Sequence, residues 1–338
     1  PPREYKRRNL NTDMKKLFLV DAYALIFKYY YAFLGRPMRN REGMNTSVVF
    51  GFVKFLRDIQ KRERPDLLGV AFDPKGGSFR RDIFPEYKAN RSETPEDILL
   101  SIPYVKRVLD AMCIPILEVA GYEADDVIGT LATEAGRQGI TTYMMTPDKD
   151  YGQLVTNNVF MYRPKHTGGF EVMGIEEVKA KFDIQSPAQV IDMLGLMGDA
   201  SDNIPGCPGV GEKTAQKLIA EFGSIENLLE HTDQLKGALK TKVETNKELI
   251  TFSKFLATIK IDVPIQLEMD KLVREQADED SLRQIFEELE FRTLIDRVLK
   301  KESSKGGVTT PTGNKTATPQ SAPSPLPLFP EEGGAIQG

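Results

Sequence analysis

The sequence has few of the residues that bind soft metals or cross-link a chain. It contains two histidines and two cysteines in 338 residues, and Cys113 and Cys207 do not have the spacing of metal ligands. This argues against a cysteine- or histidine-based metal site and indicates a reducing compartment. No apolar run approaches the length of a membrane span, and no signal-peptide pattern is present. We therefore expect a cytoplasmic protein that does not act with a membrane.

Positive charge is also scarce for a chain that would bind nucleic acid. The formal net charge is −4, from 45 basic and 49 acidic residues. Nine of the acidic residues, however, stand at positions that suggest one shared site, and setting them aside leaves a positive balance. Cations bound at such a site would do the same neutralising, so the global charge does not exclude a nucleic-acid partner.

What the sequence does have is acidic residues at the carboxyl ends of short apolar runs. Asp21 follows Leu17–Val20, and Asp73 follows Leu68–Phe72. In an open α/β sheet, ligands bind outside the carboxyl ends of the strands, so such side chains can converge. Hard cations such as Mg²⁺ bind oxygen ligands, and many carboxylates cannot all stay ionised together without cations. The candidate metal ligands are Asp21, Asp73, Glu123, Asp125, Asp126, Asp148, Asp150, Asp199 and Asp202.

Each acidic motif also has an ordinary structural explanation. A single Asp after a strand is usually a cap or turn residue, and the motif Asp148–Asp150 fits that description. Carboxylates in the motif Glu123–Asp126 would stabilise a helix start by about 0.3–1 kcal/mol each. Capping does not explain why all of them fall on strand ends and loops of one sheet. Their conjunction favours a two-metal hydrolase of phosphodiesters.

The nine carboxylates need not all play the same role. A two-metal site takes carboxylates from different elements, some of them bridging, while others orient water or the ligands themselves. The sequence leaves the bridging ligands and the number of ions open. Direct ligands are expected at Asp125, Asp148 and Asp150, whereas an orienting role is the alternative for Asp73, Asp126 and Asp202.

The order of strand and helix patterns predicts an α/β fold with a mainly parallel sheet. We place an α/β core at residues 14–173 and a helical part at 174–300, whose helices include Asp233–Phe252 and Asp280–Leu299. Residues 1–13 are expected to be a disordered basic extension ahead of a natural start at Met14. Residues 301–338 are rich in Ser, Thr, Pro and Gly, which predicts a disordered linker.

The segment 74–95 interrupts the alternation with few aliphatic residues and many charges. A solvated loop is one interpretation. The other is a grip on single-stranded nucleic acid, because aromatic rings between cations can stack on bases. The cations are Lys75, Arg80, Arg81, Lys88 and Arg91, and the rings are Phe79, Phe84 and Tyr87.

A glycine-rich motif follows in the helical part, at residues 206–215. Its spacing is not that of a P-loop, and no strand leads into it. It is more typical of a hairpin between two helices whose glycines let backbone N–H groups approach phosphates; a plain helix–helix turn is the alternative. The candidate DNA-binding residues are Gly206, Gly209, Val210, Gly211, Lys213 and Thr214.

In combination these motifs resemble the 5′-nuclease domain of bacterial DNA polymerase I, a relative of the flap endonucleases. The resemblance covers roughly Lys16–Leu299. The motifs that carry it occur in one order along the chain: Leu-Val-Asp21-Ala-Tyr, Ala-Phe-Asp73, Ser78-Phe-Arg, Tyr87-Lys88-x-x-Arg91, Gly-Tyr-Glu123-Ala-Asp-Asp, Thr-Pro-Asp148-Lys-Asp, Gly-Asp199-x-Ser-Asp-Asn and Gly-Val-Gly-Glu-Lys-Thr-Ala.

The resemblance implies a PIN or flap-endonuclease-like fold, a helical arch at 74–95 and a helix–two-turn–helix element at 203–222. It implies that the carboxylates bind two or three Mg²⁺ ions, with Mn²⁺ as a substitute, and that K⁺ binds loop carbonyls of the hairpin. It also implies that Arg80, Lys88 and Arg91, with Tyr87 beside them, contact the scissile phosphate of a DNA flap or nick.

In the resembled enzyme a polymerase domain follows the nuclease, so we expect a covalently linked polymerase in the full-length protein. Leu326–Phe329 resembles peptides that bind a sliding clamp, although isolated apolar residues are common in disordered tails. The competing functions are an RNase, a DNA-binding module without catalysis and a phosphomonoesterase. The balance of exonuclease and endonuclease activity and the tolerance for RNA stay open.

Overall fold

A computed structural model describes residues 15–165 and 169–298 of the chain. The predicted basic extension, the start at Met14, the linker and the clamp-like peptide Leu326–Phe329 lie outside the described residues.

The centre of the structure is a six-stranded sheet with the order β3-β2-β1-β4-β5-β6. All neighbouring strands are parallel except β5 and β6, which form an antiparallel pair. The prediction of a mainly parallel sheet is thereby confirmed. The strands are β1 Lys16–Asp21, β2 Leu67–Ala71, β3 Ile116–Leu117, β4 Thr141–Met145, β5 Val159–Pro164 and β6 Phe170–Met173.

Alternation along the central strand gives the sheet two apolar faces. Leu17 and Leu19 face one core, whereas Phe18 and Val20 face the other, and all four are fully buried. Because both faces are apolar, both must be covered by helices. The helices between the strands are α1 Ala22–Ala32, α2 Ser47–Arg62, α3 Phe79–Ile83, α4 Glu96–Ala111 and α5 Ala124–Arg137.

The two faces of the sheet are covered by different sets of helices. Helices α1, α2 and α4 cover the Phe18 face, and α5 covers the Leu17 face together with most of the later helices. A 3₁₀ helix at Lys149–Leu154 follows β4. Within segment 74–95 only α3 is helical, and the other residues form turns or extended backbone that fold back on the core.

The second half of the chain is helical. In it α7 packs against both α8 and α11, and the buried Asp192 of α7 accepts hydrogen bonds from Lys254 Nζ (2.6 Å) and Ile225 N (2.9 Å). Its helices are α6 Ile175–Phe182, α7 Val190–Met197, α8 Glu212–Phe222, α9 Ile225–Glu230, α10 Gly237–Thr245, α11 Lys247–Ala257, α12 Met269–Leu272, α13 Glu279–Glu288 and α14 Arg292–Val298.

The last two helices leave the helical part and return to the first core. Leu282, Ile285 and Phe286 of α13 are buried in the Phe18 core, where α13 packs against α4. The expected grouping of residues 174–300 therefore does not hold for these helices, because their apolar face covers α4. Among the described helices, none is both long and apolar enough to cross a membrane.

Candidate active site

The ends of β1 and β4 carry acidic side chains that cap the element after them. Asp21 ends β1, and its Oδ1 accepts from Ala24 N of α1 at 3.2 Å. Asp148 follows β4, and its Oδ1 accepts from Asp150 N at 2.9 Å. β1 and β4 pair in parallel through Val20 and Met145, so these carboxylates emerge at the same edge of the sheet.

Two more segments bring carboxylates to that edge. Asp73 follows β2, and its Oδ1 accepts from Ala124 N at 2.8 Å, which holds it against the start of α5. The loop after α7 is closed on itself by Asp199, whose Oδ1 accepts from Ser201 N at 2.8 Å and from Ser201 Oγ at 2.7 Å. Local capping therefore does operate here, and it aims the acidic groups at a common place.

The nine carboxylates form one electrostatic cluster. Asp21 interacts with Asp73 and Asp148, and Asp73 in turn interacts with Glu123. The remaining members are linked in the same way: Asp148 to Asp199 and Asp202, Asp150 to Asp148, and Asp125 to Glu123 and Asp126. Carboxylates from five separate segments, at the ends of β1, β2 and β4, at the start of α5 and after α7, are thus brought near one another.

Crowding and burial shift the protonation of these groups. Burial, followed by repulsion from Asp73, raises the pKa of Asp21 to about 7. Burial also raises the pKa of Asp150, with repulsion from Asp148 as the next cause. The pKa of Asp125 is raised by burial and then by Glu123. A cation in the cluster would favour the ionised forms and remove this penalty.

The donor set fits a hard divalent cation. Glu123, Asp125 and Asp126 each offer a carboxylate oxygen within 4.8 Å of the others. Asp150 Oδ1 is buried and has no hydrogen-bond partner. A buried carboxylate oxygen without a partner is costly, and coordination to a cation is one way to satisfy it. Asp73 and Asp148 are exposed and leave the cluster open to solvent.

Arg80 is not placed to contact a phosphate, as the resemblance implied, because its side chain is buried inside the protein. Its side chain is 1% exposed. A guanidinium has five N–H donors, and all five are used within the protein, so none faces the open cleft. Nε donates to Leu256 O (2.9 Å), Nη1 to Glu123 Oε2 (2.9 Å) and Asp126 Oδ2 (2.8 Å), and Nη2 to Asp126 Oδ1 (2.8 Å) and Thr258 O (2.7 Å).

Asp126 is committed to the same contacts. It is fully buried, and besides Arg80 its Oδ1 accepts from Lys260 N (2.8 Å) and its Oδ2 from Glu123 N (3.1 Å). Each oxygen thus has two protein donors. This geometry favours the orienting alternative for Asp126 over direct ligation, so Glu123 and Asp125 are the members of that close group left as ligands.

Tyr87, Lys88 and Arg91 reach the cluster from segment 74–95. Lys88 Nζ lies 2.6 Å from Glu123 Oε1 and 3.7 Å from Asp202 Oδ2, and Arg91 pairs with Asp202. The buried Tyr87 donates its hydroxyl to Glu123 Oε2 at 3.1 Å. The structure therefore brings these three residues to the carboxylates, with the side chain of Arg91 the most exposed at 55%.

The hairpin between α7 and α8 depends on close backbone contact. A Cβ at Gly206 would lie 2.3 Å from Gly198 N, and both glycines have positive φ. Val210 is buried and anchors the loop, whereas Gly209, Gly211 and Lys213 are exposed. Thr214 is half-buried in the first turn of α8. Gly206 is buried and donates its N–H to Ser253 Oγ at 2.9 Å, so of the candidate glycines only Gly209 and Gly211 are open to a phosphate backbone, beside Lys213.

Sequence reasoning missed three residues that support these features. Ser201 closes the Asp199 loop as described, and Tyr151 donates its hydroxyl to Asp21 Oδ2 at 3.1 Å. Lys242 Nζ lies 3.3 Å from Gly209 O in the hairpin. Ser201 and Tyr151 each stand beside a predicted acidic residue, so their position was a usable signal. Lys242 lies 33 residues from Gly209 and had no such signal.

A parallel sheet whose carboxyl edge gathers oxygen ligands beside basic side chains defines a metal-dependent nuclease fold. The sequence matches two family models, described as the N-terminal resolvase-like domain of 5′–3′ exonucleases at residues 16–183 and their C-terminal SAM fold at residues 185–280. The chain belongs to the 5′–3′ exonuclease family.

Curated relatives agree with this assignment. The DNA polymerase I of Bacillus subtilis is 41% identical over 290 residues, which are 85% of this chain and 32% of the relative. The DNA polymerase I of Chloroflexus aurantiacus is 38% identical over 327 residues, 95% of this chain and 35% of the relative. The chain thus spans about a third of the length of the curated relatives it matches.

Solved structures share the fold. T5 5′-exonuclease with bound zinc matches with a TM-score of 0.61 at 21% identity, covering 82% of this chain and 99% of that one. The catalytic core of Rad2 in complex with DNA substrate matches with a TM-score of 0.58 at 18% identity, covering 84% and 91%. At these identities the likeness establishes the PIN or flap-nuclease architecture.

Proposed function

We propose that this chain is a structure-selective, divalent-metal-dependent 5′→3′ exonuclease and flap endonuclease that hydrolyses DNA phosphodiesters at junctions of single and double strand. The observation that carries the proposal is the convergence of nine carboxylates at one open edge of the sheet, beside Lys88 and Arg91. Mg²⁺ is the proposed ion, because the donors are all oxygens. DNA in structures of relatives supports the same substrate class.

Different residues would bind the metal ions, bind the phosphodiester and hold these groups in place. Asp21, Glu123, Asp125, Asp148, Asp150 and Asp199 would hold the ions, which when bound supply an activated water and offset charge on the phosphate. Lys88 and Arg91 bind the phosphodiester at the mouth of the cluster and offset its charge. Before DNA binds, Asp202 pairs with Lys88 and Arg91, and the ring of Tyr87 lies under Lys88 Nζ. Arg80 and Asp126 fix the base of segment 74–95.

The hairpin supplies the contact with duplex DNA. Its exposed glycine backbone and Lys213 bind phosphates without reading base sequence. The predicted K⁺ at this loop stays a prediction, and Lys242 already directs one positive charge at the Gly209 carbonyl. A linked polymerase domain, binding to a sliding clamp, a role in primer removal and repair, and a cytoplasmic location also stay predictions.

The test is product mapping on a DNA flap that carries a labelled 5′ phosphate, with Mg²⁺, Mn²⁺ or EDTA. We expect labelled mononucleotides and flap-length oligonucleotides with either metal and no product with EDTA. Release of labelled inorganic phosphate would indicate a phosphomonoesterase instead. Binding of the flap without any product would indicate a DNA-binding module, and preferential cleavage of a matched RNA flap would indicate an RNase.

Asp148→Ala is the matching active-site variant. We expect it to reduce cleavage below detection while binding of the flap in Ca²⁺ persists, because the substitution removes a metal ligand but no DNA contact. Asp58→Ala removes an exposed carboxylate of α2 outside the cluster and should leave both properties unchanged. If Asp148→Ala lost its binding of the flap but cleaved the remaining bound flap at the normal rate, the assignment of Asp148 as a metal ligand would be contradicted.

A further inference from the structure

A tyrosine that is not itself a metal ligand extends from the apolar core to the acidic cluster. Tyr151 lies in the 3₁₀ helix Lys149–Leu154, directly after Asp150. It is among the largest fully buried side chains, and its ring packs in the core formed by α5 and the sheet. Its hydroxyl lies 3.1 Å from Asp21 Oδ2, across 130 residues of sequence.

This contact completes the restraint of the Asp21 carboxylate. Asp21 Oδ1 already accepts from Ala24 N at 3.2 Å, as the N-cap of α1. With Tyr151 on Oδ2, each oxygen has one protein donor and the carboxylate plane is fixed. A carboxylate oxygen has two lone pairs, so one on each oxygen is still available to a cation.

The local backbone places the hydroxyl at this depth. Gly152 follows Tyr151, and a Cβ added there would lie 3.2 Å from Val178 Cγ1 of α6. Since that contact is already tight, the glycine lets the 3₁₀ helix sit directly against α6. A buried hydroxyl is unfavourable without a hydrogen bond, and Asp21 is the acceptor that the structure gives it.

We propose that Tyr151 is a positioning residue of the metal centre, which fixes the Asp21 carboxylate in the orientation that binds the cation. The proposal rests on the proposed function, because it assumes that Asp21 is a ligand. Hydrogen bonds to ligating carboxylates typically change metal affinity by about 10–100-fold when they are removed. Without the hydroxyl, Asp21 would keep its place at the end of β1 but rotate about its side-chain bonds.

The test is metal binding by Tyr151→Phe, measured on the DNA-free protein by calorimetry with Mn²⁺. The substitution keeps the buried ring and removes only the donor. We expect the Kd of the tightest Mn²⁺ site to rise about 10-fold, and the Mg²⁺ concentration for half-maximal flap cleavage to rise in parallel. Cleavage at saturating Mg²⁺ should recover most of its unsubstituted rate.

Tyr162→Phe is the matched control. Its hydroxyl donates to a carboxylate too, Glu63 Oε1 at 2.8 Å, but in the other core. We expect unchanged Mn²⁺ affinity. In an Asp21→Asn background, Tyr151→Phe should have no further effect on Mn²⁺ binding, since the group it positions is no longer an anionic ligand.

An unchanged Kd in Tyr151→Phe, or an equal loss in Tyr162→Phe, would overturn the proposal. So would a full additional loss in the Asp21→Asn background, since it would show that Tyr151 acts through another group. Failure of the proposed function is seen separately: unsubstituted protein that binds Mn²⁺ but does not cleave the flap would refute the nuclease, while the binding comparison still decides the role of Tyr151.

Discussion

The buried side chain of Arg80 connects three parts of the molecule. Its partners lie in α5 and at the carboxyl end of α11, so one guanidinium connects segment 74–95, the sheet core and the helical part. Losing one partner of a buried ion pair costs about 3–5 kcal/mol, because the other charge is left unpaired.

We expect Arg80→Lys to lower the free energy of unfolding by about 2–3 kcal/mol, because lysine keeps the charge but loses the planar fork. Flap cleavage should also fall, since a lysine ammonium cannot bridge Glu123 and Asp126 with the separate donors of the guanidinium. Arg107→Lys is the control: it removes an equally bidentate contact, to Glu288, between side chains that are 42% and 37% exposed. There the expected loss is about 0–1 kcal/mol.

Urea denaturation of both variants provides the comparison. Similar losses in the two variants would show that burial of Arg80 does not govern its contribution to stability.

Because the contacts of Arg80 span up to 178 residues of sequence, no local pattern in the sequence could assign them. The same sequence did indicate the nine acidic residues, since each follows an apolar run or opens a helix or loop, and that information is local.

At the scale of elements, the connection between α7 and α8 carries Asp199 of the acidic cluster, and the proposed DNA contact at Lys213 follows in the first turn of α8. Lys213 is exposed in the first turn of α8, the end of a helix whose backbone N–H groups favour an anion. A contact to phosphate gives affinity without base specificity. Each phosphate that a basic side chain neutralises releases condensed counterions, and this release makes binding depend on the salt concentration.

Lys213→Ala should weaken binding to nicked duplex on all sequences alike and reduce the slope of log K against log salt by up to about one. Fluorescence anisotropy at several salt concentrations, in Ca²⁺ to prevent cleavage, measures both quantities. Lys54→Ala removes an exposed lysine of α2 and should change neither. A defect that depends on the DNA sequence would count against a backbone contact at Lys213.

Elements were predictable where a short apolar run is clearly bounded. The runs Leu17–Val20 and Leu68–Phe72 are short, apolar and bounded, and they become β1 and β2. The single helix expected at Asp233–Phe252 is instead a 3₁₀ turn followed by α10 and α11, which meet at Asn246. The helix expected at Asp280–Leu299 is interrupted at Glu290, whose φ is +59°. Helical periodicity continues across both breaks, so it does not reveal them.

For the whole molecule, the acidic cluster makes stability depend on pH and metal. In the unfolded chain Asp21 ionises near 3.8, but in the folded, metal-free chain only near 7. Between these values the folded state binds more protons, so the free energy of unfolding falls as pH rises and the loss is complete above about 7. One pKa unit corresponds to about 1.4 kcal/mol, so the upper limit for this group is about 4 kcal/mol.

We therefore expect Asp21→Asn to be more stable than the unsubstituted chain in EDTA, by about 1–2 kcal/mol at pH 8 and by less at pH 5. Asparagine retains the N-cap of α1, so capping does not offset the gain. Mg²⁺ at pH 8 should raise the Tm of the unsubstituted chain more than that of the variant. A stability difference that is constant between pH 5 and 8 would contradict the assigned ionisation.

The packing of α13 was beyond prediction because it pairs parts of the chain far apart in sequence. Arg107 of α4 and Glu288 of α13 are 181 residues apart, and the amphipathic pattern of α13 indicates that one face is covered without naming what covers it.

That packing has a practical consequence for anyone shortening the chain. The boundary of the second family match, residue 280, is a natural place to cut, yet it falls within the first turn of α13. A fragment ending there would lose Leu282, Ile285, Phe286 and Leu289, each at most 3% exposed. The uncovered side of α4 would then be an apolar strip on the back of the nuclease, and aggregation of such a fragment would say nothing about its active site.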